Sequence, residues 1–181
     1  MRARPLSQRG WLLVLAGALA GCSHYQLGTT GRLAFASLYV APVANKAMIP
    51  QAQAITSTQL RQIFAEDGRL ALVDSPADAD ATLTVVITDY HRDVAAVLEN
   101  DNGLASKFVL TLGATCTLRD NRTGKAYFDR RPISVQRGAY TDNGVASVPA
   151  PTNQLQSEYN TLPVLAQGLA DKVAHLVLDV W

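Results

Sequence analysis

ATLTVVITDYHRD, residues 81–93, is the most regular stretch in this chain of 181 amino acids. Leu83, Val85 and Ile87 occupy every second position, and the alternate positions 82, 84 and 88 are threonine. Alternate side chains of a strand point to opposite faces. This period of two therefore predicts a long β-strand with one apolar face turned towards a core.

The sequence after this strand predicts two further strands joined by tight turns. Asparagine, aspartate and glycine at 100–103 tolerate left-handed backbone and favour a hairpin tip. Apolar residues then alternate with threonine over 107–118, and 120–124 is a second turn. Residues 125–140 form the returning strand, where Pro132 requires an edge position or a bulge because proline has no N–H for the ladder.

A strand and a helix are predicted ahead of this meander. Residues 37–43, SLYVAPV, are apolar on both faces, as in a strand covered on both sides. Residues 50–67 begin with proline and carry an apolar stripe at helical spacing, and Gly68 suits a left-handed helix end. A short strand is expected at 69–74 and a turn at 76–80. A helix between two strands indicates a right-handed crossover.

The chain ends in a predicted amphipathic helix that follows a long polar loop at 141–156. Apolar residues recur three or four positions apart from Leu162 to Val180, and Pro163 must fall in the first turn or kink the helix. The order of elements predicts an α+β two-layer sandwich. Its mostly antiparallel sheet has about four long strands and one short strand, with two helices packed on one face.

The N-terminal segment has the pattern of a bacterial secretory signal. Arginine is the only charged residue type before the apolar run WLLVLAGALA at 11–20, which is about half as long as a membrane span. The sequence LAGC at 19–22 resembles the lipobox, in which a cysteine is acylated and the chain is then cut before it. Cys22 is therefore the predicted lipidation site.

These features divide the chain into a signal peptide at 1–21, a lipidated cysteine and tether at 22–36, and a single domain at 37–181. An ordinary cleaved signal or an apolar N-terminal helix of a cytosolic protein are the alternatives. Ser23 stands where lipoproteins of the inner membrane often have aspartate. The lipid-anchored protein is therefore expected at the outer membrane, facing the periplasm.

The composition gives no support for nucleic-acid binding or for a disulfide framework. The chain has 16 basic and 15 acidic residues. Loss of the three signal arginines leaves 13 against 15, a formal charge of −2, whereas nucleic-acid binding needs a basic face. With Cys22 acylated, Cys116 has no partner within the chain, and its register on an apolar strand face predicts a core residue.

No pattern in the sequence indicates catalysis. The three histidines lie far apart, and the chain has no glycine-rich phosphate loop and no nucleophile elbow. We therefore expect no enzymatic activity, no metal and no cofactor. Basic residues gather around the second turn, and Arg119, Arg122 and Lys125 are candidates for binding a phosphorylated ligand. A charged edge that resists aggregation is the alternative interpretation.

Four stretches together resemble LptE, a family of lipopolysaccharide-assembly lipoproteins. They are GCSHYQL at 21–27, LYVAPVANK at 38–46, DGRL at 67–70 and LRDNRTGK at 118–125. The resemblance covers nearly the whole mature chain. It implies two helices against a mostly antiparallel sheet, and a protein without enzymatic activity that helps the outer-membrane barrel LptD to assemble, plugs it and contacts lipopolysaccharide.

Under this resemblance Arg119, Arg122 and Lys125 match the family's turn as a structural correspondence. Family members have basic residues near the first hairpin tip, where this chain has Glu99 and Asp101. No residue that contacts lipopolysaccharide is therefore carried over by motif.

Two other functions are compatible with a tethered domain. Asn45 after an apolar strand is also found in binding modules similar to LpoB and CsgG, which regulate an envelope enzyme or a secretion assembly. The three long strands followed by one terminal helix favour LptE over these modules. The absence of catalytic motifs disfavours an enzyme or a sugar-binding lipoprotein.

Overall fold

The computed structural model describes residues 33–97, 105–140 and 154–180. The predicted signal peptide, Cys22, most of the tether, the hairpin tip at 100–103 and the loop up to residue 153 lie outside the described residues. Their predicted roles stay predictions.

Six strands and two α-helices make up the described part of the chain. In chain order they are β1 (Ser37–Val40), β2 (Ala44–Asn45), α1 (Pro50–Asp67), β3 (Ala71–Val73), β4 (Ala81–Val97), β5 (Ala105–Asp120), β6 (Ala126–Tyr140) and α2 (Gln154–Leu178), with a 3₁₀ turn at Pro76–Asp78. Neither α1 nor α2 combines the length and the apolar character that crossing a membrane requires.

The strands form one mixed sheet in the order β3–β1–β4–β5–β6, with β2 also paired to β4. β1 is parallel to β3 and to β4, whereas β4, β5 and β6 form an antiparallel meander. The predicted α+β class is confirmed. The strand predicted at 37–43 is shorter, because Pro42 has no N–H and pairing ends at Val40 before it resumes in β2.

The apolar face of β4 lies at the centre of the core. Leu83, Val85 and Ile87 are fully buried, as their alternation predicts, and β5 continues the face because Leu118 and Cys116 lie opposite them in the ladder. Both helices add buried side chains to this cluster: Ala52, Leu60 and Phe64 from α1, and Leu165, Ala166, Leu169, Ala170, Val173 and Val177 from α2. Burial of each large apolar side chain contributes about 1.5–3 kcal/mol to the stability of the fold. The cluster therefore holds the helices against the sheet.

The helix boundaries agree with the sequence in α1 and differ in α2. Pro50 opens α1, and Gly68 ends it with a left-handed φ of 71°. α2 begins at Gln154, so the last three residues of the predicted loop are helical and Pro163 lies inside the helix rather than in its first turn. Proline there removes the hydrogen bond to the carbonyl of Tyr159.

Candidate functional site

Arg122 and Lys125 lie in the exposed turn between β5 and β6, and Arg119 is the next-to-last residue of β5. The side chain of Arg119 folds onto this turn, where Nη1 donates a hydrogen bond of 2.8 Å to the carbonyl oxygen of Gly124. Gly124 has a φ of 69°, a left-handed conformation that glycine adopts readily. The structure therefore gathers the three predicted cations and gives Arg119 a structural hydrogen bond.

The carboxylate of Asp120 accepts hydrogen bonds that shape this turn. Its Oδ1 accepts from the backbone N–H groups of Arg122 at 2.8 Å and Thr123 at 2.9 Å. The hydroxyl of Tyr127 donates to Oδ2 at 3.3 Å. These hydrogen bonds, that from Thr123 above all, hold the pKa of Asp120 below its ordinary value of 3.8.

The side chain of Asn121 joins the turn to the connection between β3 and β4. Its Nδ2 donates to the carbonyl oxygens of Pro76 at 2.9 Å and Ala79 at 2.8 Å. Its Oδ1 accepts a hydrogen bond of 2.9 Å from the hydroxyl of Thr82. One polar side chain thus fixes two segments that are distant in sequence.

Asp80 extends this network to the residues where the chain enters the domain. Its Oδ2 accepts from the backbone N–H groups of Ala36 and Ser37, each at 3.0 Å. The hydrogen bond from Ala36 is the main reason that the pKa of Asp80 lies below its ordinary value, and the charge of Arg122 lowers it further. We call residues 33–37, 76–82 and 119–127 the tether end.

An apolar groove of about 390 Å³ lies at the opposite end of the sandwich, which we call the groove end. Tyr90 lines it, eight residues and about 26 Å along β4 from Thr82, the last residue of the tether end on this strand. Met48, Leu155 and Tyr159 also line it and are 87, 71 and 62% exposed. A group of large exposed apolar side chains is a feature of binding surfaces.

Arg92 connects β4 to α2 beside this groove. Its Nη1 pairs with Oε1 of Glu158, which lines the groove, and its guanidinium carbon lies 5.4 Å from the centre of the Phe108 ring. Burial raises the pKa of Tyr90, and the charge of Glu158 raises it further. The groove end thus combines an apolar lining with a charged pair.

Cys116 and His91 are the other side chains considered for reactivity. Cys116 is fully buried, as predicted, and burial raises the pKa of its thiol to about 12. His91 is half exposed between two carboxylates, with Nδ1 2.7 Å from Oδ2 of Asp89 and Nε2 3.5 Å from Oδ2 of Asp93. Within the three described ranges, no group of three or more His, Cys, Asp or Glu side chains could hold a metal ion.

The predicted elements give no indication of the groove end, and the predicted loop at 141–156 includes one of its lining residues, Leu155, which the structure places in α2. A signal for it is nevertheless present. Leu155, Tyr159 and Leu162 are four and three positions apart, which continues the apolar stripe of the C-terminal helix towards its start. The position of Met48 beside them depends on tertiary structure and has no comparable local signal.

The model of the family LptE, described as lipopolysaccharide-assembly, matches residues 35–175 of this chain.

Several solved lipoprotein structures are similar to this chain. An uncharacterized lipoprotein B from Nitrosomonas europaea has a TM-score of 0.51 and 14% identity, with 81% of each chain covered. A minor lipoprotein from Acinetobacter baumannii has a TM-score of 0.48 and 16% identity over 80% of this chain and 94% of its own. The rare lipoprotein B from Shewanella oneidensis has a TM-score of 0.49 and 12% identity over 78% and 93%. At these identities the likeness concerns the fold, and no curated protein sequence matches.

Proposed function

The chain belongs to the LptE family of lipopolysaccharide-assembly lipoproteins, and from this premise we propose that it helps an LptD-type outer-membrane barrel to assemble and occupies the barrel lumen as a plug. The observation that carries the proposal is the family match over residues 35–175, which includes every described strand, all of α1 and most of α2. In this role the protein binds partners and carries out no chemical step.

The proposed attachment to the outer membrane is through Cys22. Each buried methylene of an acyl chain contributes about 0.8 kcal/mol, so several chains on one cysteine give lasting attachment. Residues 23–36 would then tether the domain to the periplasmic face. The hydrogen bonds from Ala36 and Ser37 to Asp80 support this arrangement, because they fasten the first residues of the domain to the start of β4.

Co-purification tests the barrel as partner. Tagged full-length protein, extracted from outer membranes in mild detergent, should bring down an LptD-type barrel in an amount comparable to its own. The apolar side chains of Met48, Leu155 and Tyr159 support such a partner, because contiguous exposed apolar surface is typical of interfaces. Recovery of the lipoprotein without a barrel would contradict the proposal.

The Cys22→Ala variant tests the anchor separately. Without the thiol the precursor should stay unlipidated, and the protein should be lost from the outer-membrane fraction. Metabolic labelling with a fatty acid and membrane fractionation measure both effects. Normal outer-membrane fractionation of the variant would contradict lipidation at Cys22.

Lipopolysaccharide contact is the second part of the proposal, with Arg119, Arg122 and Lys125 as the residues that face its phosphate groups. All three are exposed, and Arg119 uses one of its five N–H groups in the turn. The charge-reversal double variant, Arg122→Glu with Lys125→Glu, leaves Arg119 and its hydrogen bond to Gly124 unsubstituted. We expect it to weaken binding to lipid A about tenfold, and unchanged affinity would leave the turn with a structural role only.

A further inference from the structure

A second groove, of about 570 Å³, lies where α2 packs beside β6, the outer strand of the sheet. Two cations line this β6–α2 groove, Arg137 from β6 and Lys172 from α2, together with the carboxylate of Asp171. Among the described residues none of these three side chains forms an ion pair. The groove therefore has one net positive charge.

Backbone carbonyl groups of β6 hold both cations in place. Nζ of Lys172 donates a hydrogen bond of 2.7 Å to the carbonyl oxygen of Ser134, and Nη1 of Arg137 donates one of 3.0 Å to that of Gln136. Arg137 also lies close to Gly168 of α2, with its Nη2 3.4 Å from the position that a Cβ would take there. The cations are fixed at the edge of the strand, and their other N–H groups stay available for a ligand.

These hydrogen bonds leave the edge of β6 rich in donors. In an antiparallel strand a residue directs its N–H and its carbonyl to the same side. The N–H groups of Ser134 and Gln136 therefore face the same edge as their carbonyls, which Lys172 and Arg137 already use. Since a pairing strand needs acceptors as well as donors, this edge suits anionic side chains better than a backbone ladder.

The two carbonyls that hold the cations belong to alternate residues of β6, Ser134 and Gln136, which are about 7 Å apart. Side chains at alternate positions of an extended partner strand have the same separation. We propose that the β6–α2 groove docks a partner β-strand with acidic side chains at alternate positions, which is the periodicity of lumen-facing residues in a barrel wall. The inference rests on the proposed function, because the barrel supplies that strand.

A binding measurement with charge-reversal variants tests this inference. Purified full-length protein is titrated against a detergent-solubilised LptD-type barrel from the same organism. Arg137→Glu with Lys172→Glu should weaken binding at least about tenfold and reduce its salt dependence. The matched control, Lys46→Glu with Arg131→Glu, makes the same change of charge at two exposed residues outside both grooves and should stay within about twofold of the wild-type chain.

The Gly168→Glu variant separates charge from folding. It adds a carboxylate beside Arg137 and leaves Arg137, Lys172 and their carbonyl partners on β6 unsubstituted. Because glutamate favours a helix more than glycine does, thermal unfolding should stay at or above that of the wild-type chain. We expect weaker binding to the barrel by about fivefold.

Each outcome of these titrations has a distinct meaning. If the wild-type chain binds the barrel and both groove variants bind equally well, the inference is wrong and the proposed function stands. If the wild-type chain does not bind, the proposed function is wrong and the inference with it. If the groove variants bind the barrel normally but no longer bind phosphatidylglycerol vesicles, the groove binds lipid phosphate and the inference is wrong.

Discussion

The tether end and the groove end use their side chains in different ways. At the tether end, Asp80, Asp120 and Asn121 form hydrogen bonds that tie together segments distant in sequence. At the groove end, Met48 and Leu155 leave apolar surface exposed to solvent. The hydrogen-bonded side chains of the tether end thus stabilise the fold, whereas the exposed apolar side chains of the groove end are available to a protein partner. Substitutions of the hydrogen-bonded residues should lower the free energy of unfolding, and substitutions of the exposed apolar residues should affect partner binding.

Asn121→Ala should have the largest effect on stability. It leaves the carbonyls of Pro76 and Ala79 without their donor and the hydroxyl of Thr82 without its acceptor, which together should cost about 2–3 kcal/mol. Urea unfolding followed by circular dichroism measures this cost. Asn160→Ala is the matched control on α2, where we expect a change below about 0.5 kcal/mol. Equal losses for the two variants would contradict the proposed difference between the ends.

Gly124→Ala should have the next largest effect. A Cβ at this position meets no atom within 4 Å, so the cost comes from the backbone, whose φ of 69° is unfavourable for alanine by about 1 kcal/mol. The control is Gly168→Ala within α2, where alanine should stabilise the helix by up to about 1 kcal/mol. Opposite shifts of the urea midpoint are expected, and a stabilising Gly124→Ala would show that the turn relaxes.

Acid should weaken the tether end through Asp80 and Asp120. The pKa of each lies below the ordinary value of 3.8, so both carboxylates stabilise the fold above about pH 4. This contribution is lost as the pH falls through the folded-state pKa values. Asp120→Asn keeps a hydrogen-bond acceptor and should flatten the decline of the urea midpoint below pH 4. Identical acid curves for the variant and the wild-type chain would refute this account.

Leu155→Ser with Tyr159→Ser should have the smallest effect on stability, below about 0.5 kcal/mol, because both side chains are largely exposed. We expect co-purification with the barrel to fall clearly despite an unchanged urea midpoint. Val164→Ser is the control, since Val164 is an exposed apolar residue of α2 outside the groove. Undiminished co-purification of the double variant would remove the groove end from the interface.

The sequence predicts the helices and strands that have strong local patterns. It does not predict the contacts between residues that are far apart in the chain. The strand β4 follows from its period of two, and the bounds of α1 follow from Pro50 and Gly68. By contrast, Asp80 meets Ser37 because β1 pairs in parallel with β4, and no local pattern encodes that register. Lys172 likewise reaches β6 only once α2 is packed on the sheet.

The same applies to the predicted site. The basic turn is contiguous in sequence and is identifiable there, whereas each of the two grooves is built from elements that lie far apart along the chain. Periodicity describes one element at a time. It therefore identifies the buried face of α2 and says nothing of which strand Lys172 reaches.

Cys116 remains a protonated thiol in the folded protein. With a pKa of about 12 it has almost no thiolate at neutral pH, and the thiolate is the species that attacks disulfides. Cys116 can therefore form an unwanted disulfide only before β5 enters the core. Once the meander has folded, the buried thiol is protected from oxidation.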